Sequence, residues 1–157
     1  MNPRRCPGCA AGEHRRRLLL ALVSLPLLAV RPASASAAPE AVLAAADLAE
    51  PWSAVRFTIP DSDGDLLPCI VIRLPDGGWY ASSLICPHSK CDIIYLQDPT
   101  TVRNSFDVEV STPVLACPCH FSVFDLLRQG QVIAGPAPGP PLLLKVKVRD
   151  DKVVISR

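Results

Sequence analysis

The sequence predicts one all-β domain in the last two-thirds of the chain. From Val55 onward, short apolar runs alternate with clusters of turn-forming residues, a pattern typical of short strands joined by tight loops. The 157 residues are enough for one domain, and a hydrophobic content of 49% permits a packed core. The 17 prolines indicate that much of this domain lies in loops and turns.

Eight segments are predicted to be strands because each is apolar and bounded by turn residues. They are residues 55–59, 69–74, 79–83, 93–96, 114–116, 123–125, 142–149 and 152–155. The acidic segment Asp61-Ser62-Asp63-Gly64-Asp65 is predicted to be a hairpin turn. It differs from a calcium loop, because its glycine stands at the fourth position instead of the sixth and the twelfth position is Ile72 instead of Glu.

Residues 1–37 are predicted to be an export signal. Arginines come first, an apolar run follows from Leu18 to Val30, and small residues occupy positions 33–37. The apolar run has 13 residues, whereas a membrane-spanning helix needs about 20, so a cleaved signal is favoured over a permanent anchor. Arg15-Arg16-Arg17-Leu18-Leu19 resembles a twin-arginine signal, which suits a domain that folds around a cofactor before export. The predicted location is the periplasm, with membrane association if the leader is retained.

The rest of the chain divides into an Ala-rich segment, residues 38–52, and the β domain, residues 53–157. The Ala-rich segment is predicted to be a tether or a short helix. Without the leader the chain has ten basic and fourteen acidic side chains, a balance of −4. This mildly acidic balance argues against nucleic acid or an anionic membrane as the partner.

Two short cysteine- and histidine-rich boxes point to a metal centre. They are Cys86-Pro87-His88-Ser89-Lys90-Cys91 and Cys117-Pro118-Cys119-His120. Two thiolates and two imidazoles that converge on one point form a metal site by default. A single zinc ion would accept a Cys2His2 set, but it would leave the second cysteine of each box unexplained.

Three further cysteines lie outside the two boxes. Cys6 and Cys9 form a C-x-x-C pair in the basic leader, where no other ligand is close in sequence, so they are a weak candidate site. Cys69 lies within an apolar strand and is expected to be a small buried hydrophobic residue.

The spacing within the boxes, C-x-H-x-x-C and C-x-C-H, resembles that of Rieske iron–sulfur proteins. The resemblance implies a Rieske-type antiparallel β-sandwich or barrel, with a cluster-binding subdomain made of two loops and a proline-rich lid. It also implies one [2Fe-2S] cluster per chain. By position, Cys86 and Cys117 would bind one iron, and His88 and His120 the other. The remaining cysteines, Cys91 and Cys119, would form a disulfide that joins the two loops.

The ligand set that the resemblance implies has a clear electronic consequence. Neutral imidazoles in place of two thiolates remove two negative charges from the cluster, which favours the reduced state. Centres of this class therefore have reduction potentials of about −150 to +300 mV, well above those of clusters with four thiolates.

Two further segments are assigned through the same resemblance. Gly135-Pro136-Ala137-Pro138 resembles the family's proline loop, and proline suits a stiff lid because it fixes φ and has no N–H to satisfy. The segment between the boxes, residues 92–116, is longer than the family pattern leads one to expect. It is predicted to be an extended hairpin beside the cluster.

Residues next to the boxes indicate a subgroup. In cytochrome bc complexes the stretch after the last histidine has Gly, then Ser, and Tyr two places later; the Ser and Tyr hydroxyls donate to sulfur atoms. Here Phe121, Ser122 and Phe124 stand at those positions, so one donor is kept and one is lost. This run is more similar to the small subunit of arsenite oxidase. In the first box, Ser89-Lys90 replaces the apolar residue and Gly usual in bc-type proteins.

The sequence therefore predicts a periplasmic electron-transfer subunit that is not catalytic on its own. It would take single electrons from a large oxidoreductase partner, an arsenite-oxidase-like molybdopterin enzyme, and pass them to a c-type cytochrome. The alternative is the iron–sulfur subunit of a cytochrome bc complex. A third interpretation, an oxygenase ferredoxin, is disfavoured by the Cys91/Cys119 pair and the export signal.

Overall fold

A computed structural model describes residues 39–157, which form ten strands, one α-helix and two short 3-10 helices. The strands are β1 (Glu40–Ala44), β2 (Ala54–Pro60), β3 (Leu66–Arg73), β4 (Trp79–Ser83), β5 (Ile94–Leu96), β6 (Val114–Cys117), β7 (Ser122–Asp125), β8 (Gln131–Ala134), β9 (Lys145–Arg149) and β10 (Lys152–Ser156). The helix α1 is Pro99–Phe106, and the 3-10 helices are Ala45–Leu48 and Leu126–Arg128. The predicted export signal and the Cys6/Cys9 pair lie outside the described residues. The α-helix among residues 39–157 has only eight residues, and none of the helices described here could span a bilayer.

The strands make three antiparallel sheets, with the strand orders β1-β10-β9, β2-β3-β4 and β5-β6-β7-β8. The first two sheets share a core in which Cys69, Val71, Val153 and Ile155 are fully buried. The acidic segment at 61–65 is the predicted hairpin turn between β2 and β3, and the Asp61 carboxylate accepts the N–H groups of residues 63 and 65. The all-β prediction is confirmed.

The start of the described chain differs from the predicted tether or short helix. Glu40–Ala44 is strand β1, which pairs with β10 along its whole length. Ala41 and Leu43 face the shared core while Glu40, Val42 and Ala44 are exposed, which is the two-residue alternation of a half-buried strand. A 3-10 helix follows and buries Leu48. The Ala-rich segment is therefore part of the β domain.

The segment between the boxes also differs from its prediction as an extended hairpin. Asp98 caps a helix, because its carboxylate accepts the N–H groups of Thr100 and Thr101, and Pro99 stands at the first helical position. The helix ends at Asp107, whose φ of 54° is left-handed. The sequence Asp-Pro-Thr-Thr is thus a helix start, and α1 lies in the connection between β5 and β6.

The helix covers one face of the four-stranded sheet. Val102 of α1 is fully buried in a cluster with residues that alternate along the strands: Ile94, Leu96, Val114, Ala116, Val123 and Ala134. The intervening residues Tyr95, Leu115, Cys117, Phe124 and Val132 face the opposite, inner core. A bulge at Ile133 changes the register between β7 and β8, so that Val132 and Ala134 lie on opposite faces.

Two strand predictions need correction after the second box. The strand predicted at 142–149 is shorter, because only Lys145–Arg149 pairs in the sheet, while Leu143 makes a single bridge to Ser82. Strand β8, Gln131–Ala134, was not predicted. It has four residues between Gly130 and Gly135, too short a run to show a period.

Candidate metal centre

The first box is a closed loop between β4 and β5. The N–H of Cys86 donates to the carbonyl of Cys91 at 2.8 Å, and the N–H of Lys90 donates to the carbonyl of Cys86 at 3.0 Å. Lys90 has a left-handed φ of 59°, which lets the chain turn back on itself. These bonds place the cysteines at the base of the loop and leave His88 exposed at its tip.

The second box is the connection between β6 and β7. Cys117 ends β6 and pairs with Ser122, the first residue of β7. Because Pro118 to Phe121 must reverse the chain within four residues, the backbone is strained there, and Phe121 has a φ of 57°. His120 is exposed, whereas Cys117 is buried.

The structure joins the two boxes through a Cys91–Cys119 disulfide, as the resemblance implied. The Cα atoms of these residues are 6.5 Å apart, and 28 residues separate them in sequence. Among the described cysteines, Cys69, Cys86 and Cys117 are free. Cys69 is fully buried in the other core and takes no part in the site. The two free thiols of the boxes both belong to the inner core beneath the loops.

The histidines of the two boxes lie close to each other. The ring centroids of His88 and His120 are 4.7 Å apart, and the rings are perpendicular, at 89°. The hydroxyl of Ser89 lies 3.2 Å from Nδ1 of His88. The site thus has two buried thiols and two exposed imidazoles, the asymmetric donor set that a cluster with one thiolate-bound and one imidazole-bound iron requires.

Electrostatics at Cys117 suit a bound metal. Burial raises the pKa of this thiol, and the neighbouring Cys86 thiol raises it further, while the N–H groups of Cys119 and His120 lower it. A metal would displace the proton, and the same N–H groups would then stabilise the thiolate. The sulfur atoms of Cys91, Cys117 and Cys119 lie within 4.8 Å of one another. Two of the three are oxidised to the disulfide, so this trio offers one thiolate.

The predicted lid, Gly135 to Pro138, lies against the second box. The N–H of Ala137 donates to the Ser122 hydroxyl at 3.2 Å. Gly135 has a φ of +84°, and a Cβ on it would lie 2.5 Å from Cα of Ser122 and 2.6 Å from the carbonyl oxygen of Phe121. Only glycine allows so close a backbone approach.

The two predicted tuning residues lie on the inner face, on the same side as Cys117. Ser122 and Phe124 are both fully buried. Ser122 accepts a hydrogen bond from the lid, and its own hydroxyl hydrogen remains available to a sulfur acceptor. Phe124 packs in the inner core with Cys86 and Cys117, at the β7 position that follows Ser122 by two.

Sequence reasoning missed one residue near the site, Phe106 at the end of α1. Its ring meets that of Phe121, with the centroids 5.9 Å apart at 72°. The helix start at Asp98 was the available signal, since it places Val102 and Phe106 on one face, four residues apart.

The comparisons with known proteins agree with this geometry. The model of the Rieske [2Fe-2S] domain family matches residues 40–153. Among similar proteins is the cytochrome b6-f complex iron-sulfur subunit of Chlorobaculum tepidum, 31% identical over 87 residues, which are 55% of this chain and 40% of that protein. The cytochrome bc1 complex Rieske iron-sulfur subunit of Corynebacterium glutamicum is 34% identical over 80 residues, 51% of this chain and 17% of that protein. The matched region thus spans less than half the length of either relative.

A solved structure shows the same fold. The ferredoxin of carbazole 1,9a-dioxygenase from Nocardioides aromaticivorans aligns with a TM-score of 0.51 and 23% identity, over 76% of this chain and 97% of that one. The comparisons give no support to the predicted kinship with the arsenite oxidase small subunit. The family model, the disulfide and the paired boxes agree: the chain belongs to the Rieske [2Fe-2S] domain family, and one [2Fe-2S] cluster is its cofactor.

Proposed function

We propose that Cys86 and Cys117 bind one iron of the cluster and that His88 and His120 bind the other. The observation that supports this ligand set is that the two boxes contain two free buried thiols and two exposed imidazoles whose centroids are 4.7 Å apart. The bound cluster supplies a one-electron redox couple. The exposed imidazole edges offer a short path for that electron to a partner, while the inner core excludes water from the thiolates.

The ligand set is tested with His88→Ala and His120→Ala. The purified wild-type chain should contain two irons and two sulfides, and its reduced form should show the low average g value of a His-ligated centre. Each variant should lose that signal. Zinc in place of iron, or the spectrum of a four-thiolate cluster in the wild type, would contradict the assignment.

We further propose that the chain is the electron-transfer subunit of a cytochrome bc or b6-f type complex. The similarity to iron-sulfur subunits of cytochrome b6-f and bc1 complexes supports this choice over the molybdoenzyme subunit that the Phe-Ser-x-Phe-Asp run suggested. In this function the subunit receives electrons in the complex and delivers them to a cytochrome. Lys90, which replaces the usual glycine at the tip of the first box, would then lie at the docking surface.

The proposed complex requires an exported domain, and we propose that residues 1–37 direct that export. The basic, apolar and small-residue order of the leader supports this assignment. The measurement is the N-terminus of the protein isolated from its native host. A mature N-terminus between residues 34 and 40 is expected for a cleaved signal. A full-length chain in the membrane fraction would show instead that the leader is retained as a membrane anchor.

The partner is identified by purifying the tagged chain from native membranes. The expected result is retention of a b-type haem, read from the reduced-minus-oxidised spectrum. Lys90→Glu should weaken retention because it reverses an exposed charge beside His88, and Lys145→Glu on strand β9 is the matched control. Molybdenum without b-type haem would restore the molybdoenzyme interpretation, and retention of neither would refute both.

A further inference from the structure

Helix α1 contacts the second box through one aromatic pair. Phe106 lies in the last turn of the helix and is partly buried against the outer face of the four-stranded sheet. Its ring meets the ring of Phe121 edge to face. Phe121 follows His120 directly, and its side chain is 56% exposed. Its ring contacts the ring of Phe106, while much of the rest of the side chain faces solvent.

Phe121 is held in an unfavourable backbone conformation. Its φ of 57° is left-handed, which costs free energy for a residue that carries a Cβ. Such a conformation persists only where the surroundings fix it. Two contacts do so here. On one side the lid backbone at Gly135 approaches the Phe121 carbonyl, and on the other side Phe106 contacts the Phe121 ring.

The two boxes differ in this respect. The first box is closed by its own backbone bonds between Cys86, Lys90 and Cys91, and the His88 ring contacts a neighbouring serine. The second box is closed at its base by the pairing of Cys117 with Ser122, and its Phe121 ring is also held from outside by helix α1, whose Val102 is buried on the sheet. Helix α1 can therefore restrict the backbone direction on either side of Phe121 through this ring contact.

We propose that Phe106 is a positioning residue for the cluster: through the Phe121 ring, helix α1 sets the orientation of His120. Without the Phe106 ring, the His120 backbone would have a wider range of φ and ψ, and the imidazole that would hold the cluster would have a wider range of orientations. This inference rests on the proposed ligand role of His120. The g values of the reduced cluster and its reduction potential report that orientation directly, whereas a role in packing alone would leave both unchanged.

The test is a double-mutant cycle on the full-length holoprotein. Phe106→Leu keeps an apolar side chain on the sheet but removes the ring edge. It should shift the g values and the reduction potential. It should also make cluster loss about 2- to 10-fold faster, the size of effect expected for one edge-to-face pair. Phe106→Tyr keeps the ring and should restore the wild-type values. In a Phe121→Gly background, Phe106→Leu should change none of them.

Val110→Ala is the matched control, since Val110 is partly buried in the same outer cluster. It should lower thermal stability without moving the g values or the potential. If Phe106→Leu, like Val110→Ala, left the g values and the potential unchanged, the proposal would be overturned. It would also be overturned if Phe106→Leu still shifted the spectrum in the Phe121→Gly background. A four-thiolate spectrum in the wild type would instead refute the ligand assignment on which the inference rests.

Discussion

The contact between the lid and the second box can be broken by one methyl group. Gly135→Ala places a Cβ within 2.5–2.6 Å of Cα and N of Ser122 and of the Phe121 carbonyl oxygen. All three are backbone atoms, so none can move aside by a change of rotamer. Gly139→Ala is the matched control in the same loop, because its Cβ would meet nothing within 4 Å and its φ is not left-handed.

The size of the effect follows from two terms. The φ of +84° at Gly135 becomes unfavourable once a Cβ is present, at a cost of about 1–2 kcal/mol. Ordinary contact begins near 3.4 Å, so the lid must withdraw by about 0.9 Å, and overpacking of this kind costs about 1–3 kcal/mol. The sum is about 2–5 kcal/mol. At about 4 °C per kcal/mol for a domain of this size, the unfolding midpoint should fall by about 8–20 °C.

The measurement is the midpoint of cluster bleaching in a thermal scan, taken with the unfolding midpoint from far-ultraviolet circular dichroism. Gly135→Ala should lower both, and the cluster should bleach first because the Ala137 to Ser122 hydrogen bond is lost. Gly139→Ala should be neutral or slightly stabilising. Equal midpoints for the two variants would show that the lid is not pressed against the second box.

Three further predictions concern the cysteines and the tuning residues. A double Cys91→Ser, Cys119→Ser variant should lose about 3–4 kcal/mol of stability, from the chain-entropy estimate for the 28-residue separation, and should release its cluster on mild heating. Burial raises the pKa of Cys69 to about 11, so this thiol should resist alkylation at pH 8 in the folded protein and react after unfolding, as measured by mass spectrometry. Ser122→Ala should lower the reduction potential and Phe124→Tyr should raise it, each by about 20–60 mV for one hydrogen bond; film voltammetry in which neither variant moves the potential would refute the tuning scheme.

The metal centre was the part of the molecule most open to sequence reasoning. Its chemistry depends on a few residue types at short spacings. These spacings can be recognised in the sequence without knowing where the surrounding strands begin and end. The structure brings together His88 and His120, pairs Cys91 with Cys119 and leaves two thiols free. Cys69, predicted to be a small buried residue, is fully buried. The short spacings located the metal centre, whereas the subgroup that the Phe-Ser-x-Phe-Asp run suggested found no support.

Two of the failures came where tertiary partners decide the conformation, and a third came from a missed local signal. Alanine favours a helix, yet Glu40–Ala44 is a strand because β10 offers it an open edge and the core accepts Leu43. In the segment between the boxes, the Asp98 cap was a local helix signal that the hairpin prediction passed over. Strand β8 has only four residues, and its pairing with β7 rather than its own pattern makes it a strand.

Each box contains one residue with a left-handed backbone conformation. Lys90 and Phe121 have left-handed φ values of 59° and 57°, one in each box, in the region that favours glycine. Because both residues keep the glycine-like conformation despite their side chains, the boxes must impose it. The internal bonds of the first box and the disulfide do so for Lys90, and the lid at Gly135 does so for Phe121. The backbone path of the boxes is thus set by the contacts that hold the two loops together. The side chain at a strained position can therefore serve another contact, and the Phe121 ring contacts helix α1.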